Sequence, residues 1–216
     1  MGEAKRRAQH WARMQEELTL LRERATRVSS ALRKLFFAAG SHLGSDCYAH
    51  AVYGGILLKD LGTESRTVVG YAAWRVGSGD GDVIAHCPNA RAYLPPGAES
   101  GLAYHAWLEC CDCVIDFTTY LLREKARRLD AADGGYTSVE WCPDFLMLPR
   151  RQIRRYQEVA AAPNAGVAYY EGRPELAELL HAQFTPDEAD LRAARLILAN
   201  PDVSVIGPND LRRLSG

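Results

Sequence analysis

The stretch from Tyr104 to Phe117, YHAWLECCDCVIDF, restricts the possible fold more than any other part of the chain. Taken as two strands folded about Cys110-Cys111, it pairs opposed positions whose numbers sum to 221, and opposed residues share a face. One face then carries residues that can enter a core: Tyr104, Ala106, Leu108, Cys113, Ile115 and Phe117. The other face carries His105, Trp107, Val114 and Asp116. The alternation therefore predicts an antiparallel hairpin that places His105 beside Asp116.

The register of this hairpin has one acceptable alternative. Moving the turn by one residue, to a sum of 223, leaves His105 and Asp116 as diagonal neighbours on the same face. A sum of 222 mixes polar and apolar residues on both faces, so the hydrophobic pattern argues against it. Cys-Cys lacks the Gly or Asn that a tight two-residue turn prefers, which is the weak point of the first register. Under either register, the carboxylate fixes the tautomer of the histidine and stabilises its imidazolium form.

Cys47 lies in the first turn of a predicted helix, CYAHAVYGGILLKDLG, that follows a short polar loop. Ser45 or Asp46 can serve as its N-cap, and Gly62 ends it. The positive end of a helix favours a thiolate, and its first N–H groups can hold an oxyanion. The pair Gly54-Gly55 lowers the stability of this helix, which indicates close packing against a neighbour.

The rest of the chain predicts helices at both ends and strands between them. Apolar residues from Trp11 to Leu35 recur at three- and four-residue steps, which is typical of one or two amphipathic helices, with Gly40 as a C-cap. TVVGYAAWRV, VIAH, DFLML and GVAYY are the best strand candidates. A helical tail starts at Pro174, and Thr185-Pro186-Asp187-Glu188 is a start signal for its second helix. This order predicts an α+β protein with an N-terminal helical segment (1–40), a core (41–172) and a C-terminal helical tail (173–216) in one globular unit.

Three blocks of the sequence resemble the signature of the transglutaminase-like superfamily: Asp46-Cys47-Tyr48 at a helix start, Tyr104 to Glu109, and Val114 to Thr118. RTVVGY also resembles the strand that usually precedes the histidine block, so the likeness covers about residues 41–120. It implies a papain-like fold in which the nucleophile helix packs on a central antiparallel sheet. Papain-like proteases and arylamine N-acetyltransferases share this arrangement more distantly.

The resemblance assigns a role to each block. Cys47 corresponds to the nucleophile, His105 to the general base and acid, and Asp116 to the orienting carboxylate. Tyr48 stands where many relatives have Trp. The Gln that papain-like enzymes place before the cysteine as an oxyanion donor is missing, and Ser41, His42 or Ser45 are candidate substitutes.

The expected function is therefore cysteine-dependent acyl transfer or amide hydrolysis through a thioester. Peptides, other amides or acyl thioesters are the expected substrates, and no cofactor is required. Trp107, on the face of His105, together with Tyr48 and Ser45, is expected to contact the substrate.

Two other functions stay open. A relative that has kept the fold without the chemistry would act as a binding module. A zinc site would use soft ligands, although the chain has no C-x-x-C pair. Its candidate ligands are His86, Cys87, Cys110, Cys111, Cys113 and Cys142.

Composition narrows the expected partners. The formal net charge of −1 gives no argument for binding nucleic acid or an anionic membrane. No run of about 18 apolar residues occurs, and the basic N-terminus lacks the apolar core of a secretory signal. We therefore expect a cytoplasmic protein with reduced cysteines and no membrane contact. The N-terminal helix is a candidate surface for a homodimer.

Overall fold

The computed structural model describes residues 3–39, 47–87 and 103–206. The helices in this part of the chain are α1 (Glu3–Ala39), α2 (Cys47–Asp60), α3 (Leu122–Asp133), α4 (Tyr156–Ala160), α5 (Pro174–Gln183) and α6 (Glu188–Ala199). The strands are β1 (Arg66–Arg75), β2 (Val83–His86), β3 (His105–Cys110), β4 (Cys113–Asp116), β5 (Leu146–Pro149) and β6 (Ala168–Gly172). The combination of helices with an antiparallel sheet confirms the predicted α+β class.

The six strands form one sheet in which the order β2-β1-β3-β4-β5 is continuous and β6 also pairs with β1. Every pairing is antiparallel. One face packs against α1, α2, α5 and α6 around Leu32, Leu57 and Leu108. The other face packs against α3 around Trp74 and Leu122. The sheet is therefore covered by helices on both faces.

The hairpin of β3 and β4 has the register with a sum of 223, because Leu108 lies opposite Ile115 and Cys110 opposite Cys113. The first register, turning at Cys110-Cys111, is therefore wrong. The turn residues are Cys111 and Asp112, with φ of 50° and 58°. Tight two-residue turns that match the strand twist need two such left-handed residues, and Asp adopts this conformation more readily than most residues. The predicted division of the two faces is unchanged, since both registers have the same parity.

The N-terminal segment forms a single helix, α1, whose second half enters the core. Leu21, Ala25 and Leu32 are buried, whereas Trp11 is 51% exposed. The amphipathic stripe predicted from Trp11 onward therefore meets the protein core only from about Leu18. Gly40, expected to end this helix, lies outside the described residues.

Helix α2 is seated on the hairpin through its paired glycines. A Cβ at Gly54 would lie 2.6 Å from the Phe117 ring, and one at Gly55 would lie 3.4 Å from Leu108. The close packing predicted from this pair is confirmed. Because Phe117 follows Asp116 directly, the contact joins the helix that begins with Cys47 to the strand that ends with Asp116.

The C-terminal tail begins and continues as its capping signals predict. Pro174 is the first residue of α5. The side chain of Asp187 accepts hydrogen bonds from the N–H groups of Ala189 and Asp190 at the start of α6. Helix α6 then packs against α1, so both ends of the chain contribute to the same core.

Candidate functional site

Cys47 is the first residue of α2, and its side chain is 5% exposed. The first N–H groups of an α-helix have no partner within the helix and point along its axis at the positive end of the helix dipole. Helix α2 runs for 14 residues, and Leu57 and Leu58 near its far end are fully buried. The thiol is therefore held at the N-terminus of a well-anchored helix.

His105 and Asp116 form a hydrogen-bonded pair beneath the sheet surface. The imidazole Nε2 lies 2.8 Å from the Asp116 Oδ2, and both side chains are 0% exposed. Since His105 begins β3 and Asp116 ends β4, the hairpin brings them together as diagonal neighbours. The predicted proximity of this pair is confirmed.

Four donors surround the Asp116 carboxylate. Oδ2 accepts from His105 and from the Tyr170 hydroxyl at 2.8 Å. Oδ1 accepts from the Thr118 N–H at 2.8 Å and from its hydroxyl at 2.7 Å. Burial alone raises the pKa of Asp116, but His105, Lys125 and the Thr118 N–H outweigh burial and hold it well below its usual range. The carboxylate is thus a fixed negative charge beside the imidazole.

The Cys47 thiol acts on the pKa of the same imidazole. Burial lowers the pKa of His105, while Asp116 and then the Cys47 thiol raise it, so that the net shift is upward. With Nε2 bonded to Asp116, Nδ1 is the ring nitrogen left for the thiol. Among the described residues, Nδ1 has no hydrogen-bond partner of standard geometry. Nucleophile and base often stand looser than a hydrogen bond until a substrate binds.

A second group of side chains surrounds this cluster on the α3 side. The Trp74 indole N–H donates to the Tyr170 hydroxyl at 2.8 Å, which in turn donates to Asp116. The Lys125 ammonium lies 5.1 Å from the centre of the Trp74 ring. His86 stands beside His105 with ring centres 5.3 Å apart. Burial lowers the pKa of His86 well below its ordinary value, with Lys125 and His105 acting in the same direction, so this imidazole is neutral.

Of the residues expected to contact a substrate, Trp107 and Tyr48 are buried and Ser45 is not among the described residues. Trp107 is 1% exposed and packs among Val68, Val114 and Tyr170, so it is a core residue of the sheet in this structure. Tyr48 is also buried, and its ring meets Phe184 edge-on at 5.3 Å. Ser45, with Ser41 and His42, lies outside the described residues. A role of these side chains in substrate binding stays a prediction.

The cysteines and histidine of the zinc hypothesis are spread over several places. Nowhere in the described ranges do three His, Cys, Asp or Glu side chains gather closely enough to hold a metal ion. The Cys110 and Cys111 sulfurs lie 3.2 Å apart, and burial together with this contact raises the pKa of Cys110 to about 12. Cys142 donates to the carbonyl groups of Thr119 and Tyr120. All six cysteines are free thiols.

Tyr170, Trp74 and Lys125 were not identified as site residues from the sequence. Tyr170 belongs to the strand candidate GVAYY and Trp74 to TVVGYAAWRV, but the sequence offers no sign that these strands pair. Their ladder, in which Ala72 lies opposite Tyr170, is what brings Trp74 to Tyr170 and Tyr170 to Asp116. Lys125 stands among charged residues in the sequence, a pattern that a solvated helix face would also show.

Comparison with known proteins informs the fold only. No family model matches the chain. No curated protein matches it. A solved structure described as "The crystal structure of genomics APC5867" is similar, with a TM-score of 0.56 and 17% identity over 82% of this chain and 78% of that chain. Among the helices that the structure describes, none combines the length and apolar character of a membrane span.

Proposed function

We propose that this chain is a transglutaminase-like cysteine enzyme that forms a thioester at Cys47 and passes the acyl group to water or an amine. One observation carries the proposal. A cysteine at the first turn of a buried helix acts on the pKa of a histidine, and the Nε2 of this histidine is hydrogen-bonded to a buried carboxylate. Each of these features favours a thiolate–imidazolium pair, the reactive state of such a nucleophile.

The reaction would proceed in two acyl transfers. His105 accepts the thiol proton at Nδ1 while the Cys47 sulfur attacks the substrate carbonyl carbon, and the carbonyl electrons move to oxygen. Collapse of this intermediate expels the leaving amine or thiol, which takes the proton from His105. Water or an amine then attacks the thioester, gives its proton to His105 and releases Cys47, to which the proton returns. Asp116 holds the imidazole and stabilises its charged form throughout.

The first N–H groups of α2 provide the donors for the carbonyl oxygen. They have no partner within the helix and carry the positive end of its dipole. This source of stabilisation does not need the glutamine that papain-like enzymes place before the cysteine. Substrates would be peptides, other amides or acyl thioesters, since all three present the same electrophilic carbon.

Burial of the cluster favours a second candidate, a binding module that has lost the chemistry. His105 and Asp116 are fully enclosed and Cys47 is nearly so. A substrate carbonyl would have to displace side chains in order to reach the sulfur. The same experiment separates the two candidates, because a binding module has no reason to activate one thiol.

The test is the pH dependence of iodoacetamide alkylation, with each cysteine quantified by mass spectrometry in the wild type and in His105→Ala. Cys111 is exposed and Cys142 partly exposed, so both serve as internal references for thiols that solvent reaches. We expect Cys47, although buried, to react fastest below pH 7 and to lose this advantage in the variant. An acyl-donor screen with detection of the acyl group on Cys47 would follow. Alkylation of Cys47 no faster than the reference thiols would refute the enzyme and favour the binding module.

A further inference from the structure

Lys125 is a charged residue of α3 that is turned inward. Its neighbours on the helix, Arg127 and Arg128, form ion pairs with Glu124 at the surface. Lys125 itself is 4% exposed and places its ammonium over the indole ring of Trp74. Removing an ammonium from water is costly unless nearby negative charge compensates for it. The position of this side chain therefore requires an electrostatic partner.

Within the described part of the chain, no carboxylate forms an ion pair with Lys125 by direct contact. Burial lowers the pKa of the Lys125 amine, and the nearby Cys47 and Asp116 raise it in part, so that the net shift is downward. The ring beneath it belongs to the same network, because Trp74 is hydrogen-bonded to Tyr170 and Tyr170 to Asp116. The Lys125 ammonium is thus linked to Asp116 through Trp74 and Tyr170, and the Cys47 thiol acts on the same amine.

The charge balance of the buried cluster explains what this ammonium does. With a neutral imidazole and a thiol, Lys125 and Asp116 carry one charge of each sign. When the proton moves from Cys47 to His105, the cluster holds two positive and two negative charges. Without Lys125, the enclosed site would have a net charge of −1 in either state, and a second buried anion on sulfur would be opposed by the carboxylate.

We propose that Lys125 is the electrostatic partner of the Cys47 thiolate, a fixed buried cation that stabilises the sulfur anion without touching the reacting atoms. The inference rests on the proposed function. It adds a fourth residue, from an element outside the hairpin and the nucleophile helix, to the groups that determine the reactivity of Cys47.

The test compares Lys125→Met, Lys125→Arg and Arg127→Met in the alkylation assay. Methionine keeps a long unbranched chain over Trp74 without the charge, and arginine keeps the charge. Arg127→Met removes the same charge from the same helix at a residue that is 78% exposed, where solvent screens it. We expect Lys125→Met to move the midpoint of the Cys47 profile upward by about one pH unit, which slows alkylation about tenfold below the midpoint.

We expect the midpoint of the Cys47 profile in Lys125→Arg to return most of the way to the wild-type value. In Arg127→Met we expect the midpoint to equal that of the wild type. A folded Lys125→Met whose midpoint equals that of Arg127→Met overturns the inference but leaves the proposed function intact. A wild-type Cys47 that behaves like the reference thiols overturns both. Far-UV circular dichroism checks folding, which replacement of a buried charge by an apolar chain often leaves intact.

A second measurement does not depend on the folding of any Lys125 variant. The pKa of Lys125 is read from the NMR titration of its ε-carbon in the wild type and in Cys47→Ser. We expect a lower value in the variant, because one of the two groups that raise it is gone. An unchanged value would show that the thiol and the ammonium do not interact, and would overturn the inference.

Discussion

Replacing each of the paired glycines of α2 by alanine tests whether the nucleophile helix is seated on the hairpin. Gly54 and Gly55 are adjacent in one helix, so an added methyl group gains the same helix propensity at either position, about 0.5–1 kcal/mol. The surroundings of the two methyl groups differ. At Gly54 the new Cβ would lie 2.6 Å from two atoms of the Phe117 ring, whereas at Gly55 the nearest atom is a Leu108 methyl at 3.4 Å.

The magnitude follows from this difference. Phe117 is fully enclosed, so its ring cannot move away without displacing other core side chains. Overpacking of this kind costs about 1–3 kcal/mol. Gly55→Ala should therefore raise the free energy of unfolding by about 0.5–1 kcal/mol. The free energy of unfolding of Gly54→Ala should be about 1–3 kcal/mol lower than that of Gly55→Ala, because both variants gain the same helix propensity and only Gly54→Ala overpacks the core.

Urea unfolding, followed by tryptophan fluorescence and by far-UV circular dichroism, measures both free energies and checks that the two signals change together. The alkylation rate of Cys47 is measured on the same samples, since a displaced helix also moves its first residue. We expect Gly54→Ala alone to lose reactivity at Cys47. If Gly54→Ala proves as stable as Gly55→Ala, then α2 does not rest on Phe117 and the geometry of the site is wrong.

Two further predictions concern the buried pair. Asp116→Asn presents an amide N–H₂ to the donors that surround the carboxylate, so that His105 carries its proton on Nδ1 and cannot accept one from Cys47. Alkylation of Cys47 should therefore slow roughly a hundredfold or more. The control Asp82→Asn changes a buried carboxylate in a turn remote from the site and should leave the alkylation rate unchanged. Because the folded pKa of Asp116 is depressed, its contribution to stability is present above about pH 4 and is lost as the pH falls through the folded value. The raised pKa of His105 gives a contribution that is complete below about pH 6.5 and is lost as the pH rises through the folded value. The free energy of unfolding is measured against pH. On the acid side it should fall less steeply for Asp116→Asn than for the wild type, and on the alkaline side less steeply for His105→Ala. Equal slopes in the wild type and the variants would contradict the assigned pKa shifts.

The pairing of His105 with Asp116 could be predicted because it depends on local alternation. Strand side chains repeat every two residues, so any register of correct parity puts both on one face. The turn itself could not be chosen from the pattern, since the registers with sums of 221 and 223 divide the faces identically. The choice depends on the backbone of Cys111 and Asp112, which are both left-handed in the structure. The preference of Asp for the left-handed region is the sequence signal that could have distinguished the two registers.

The side chains around His105 and Asp116 could not be predicted, because they belong to elements that are distant from this pair in the sequence. Tyr170 is 54 residues from Asp116 in sequence and reaches it through the pairing of β6 with β1. Whether the Lys125 side chain is buried or exposed depends on the rotation of α3 about its axis. In sequence it is one of several charges that a solvated helix face would also carry, and only the packing of Leu122 and Ala126 turns it inward.

The positions of Cys47 and Asp116 are linked by a single packing contact. Gly54 lies seven residues after Cys47, about two helical turns, and therefore on the same side of α2. It meets Phe117, the residue next to Asp116. The contact therefore relates the helix that carries Cys47 to the strand that ends with Asp116. A glycine pair that weakens the helix thus stands where these two elements meet. Stability and site geometry depend on the same contact, so a substitution that improves helix propensity at Gly54 should impair the chemistry.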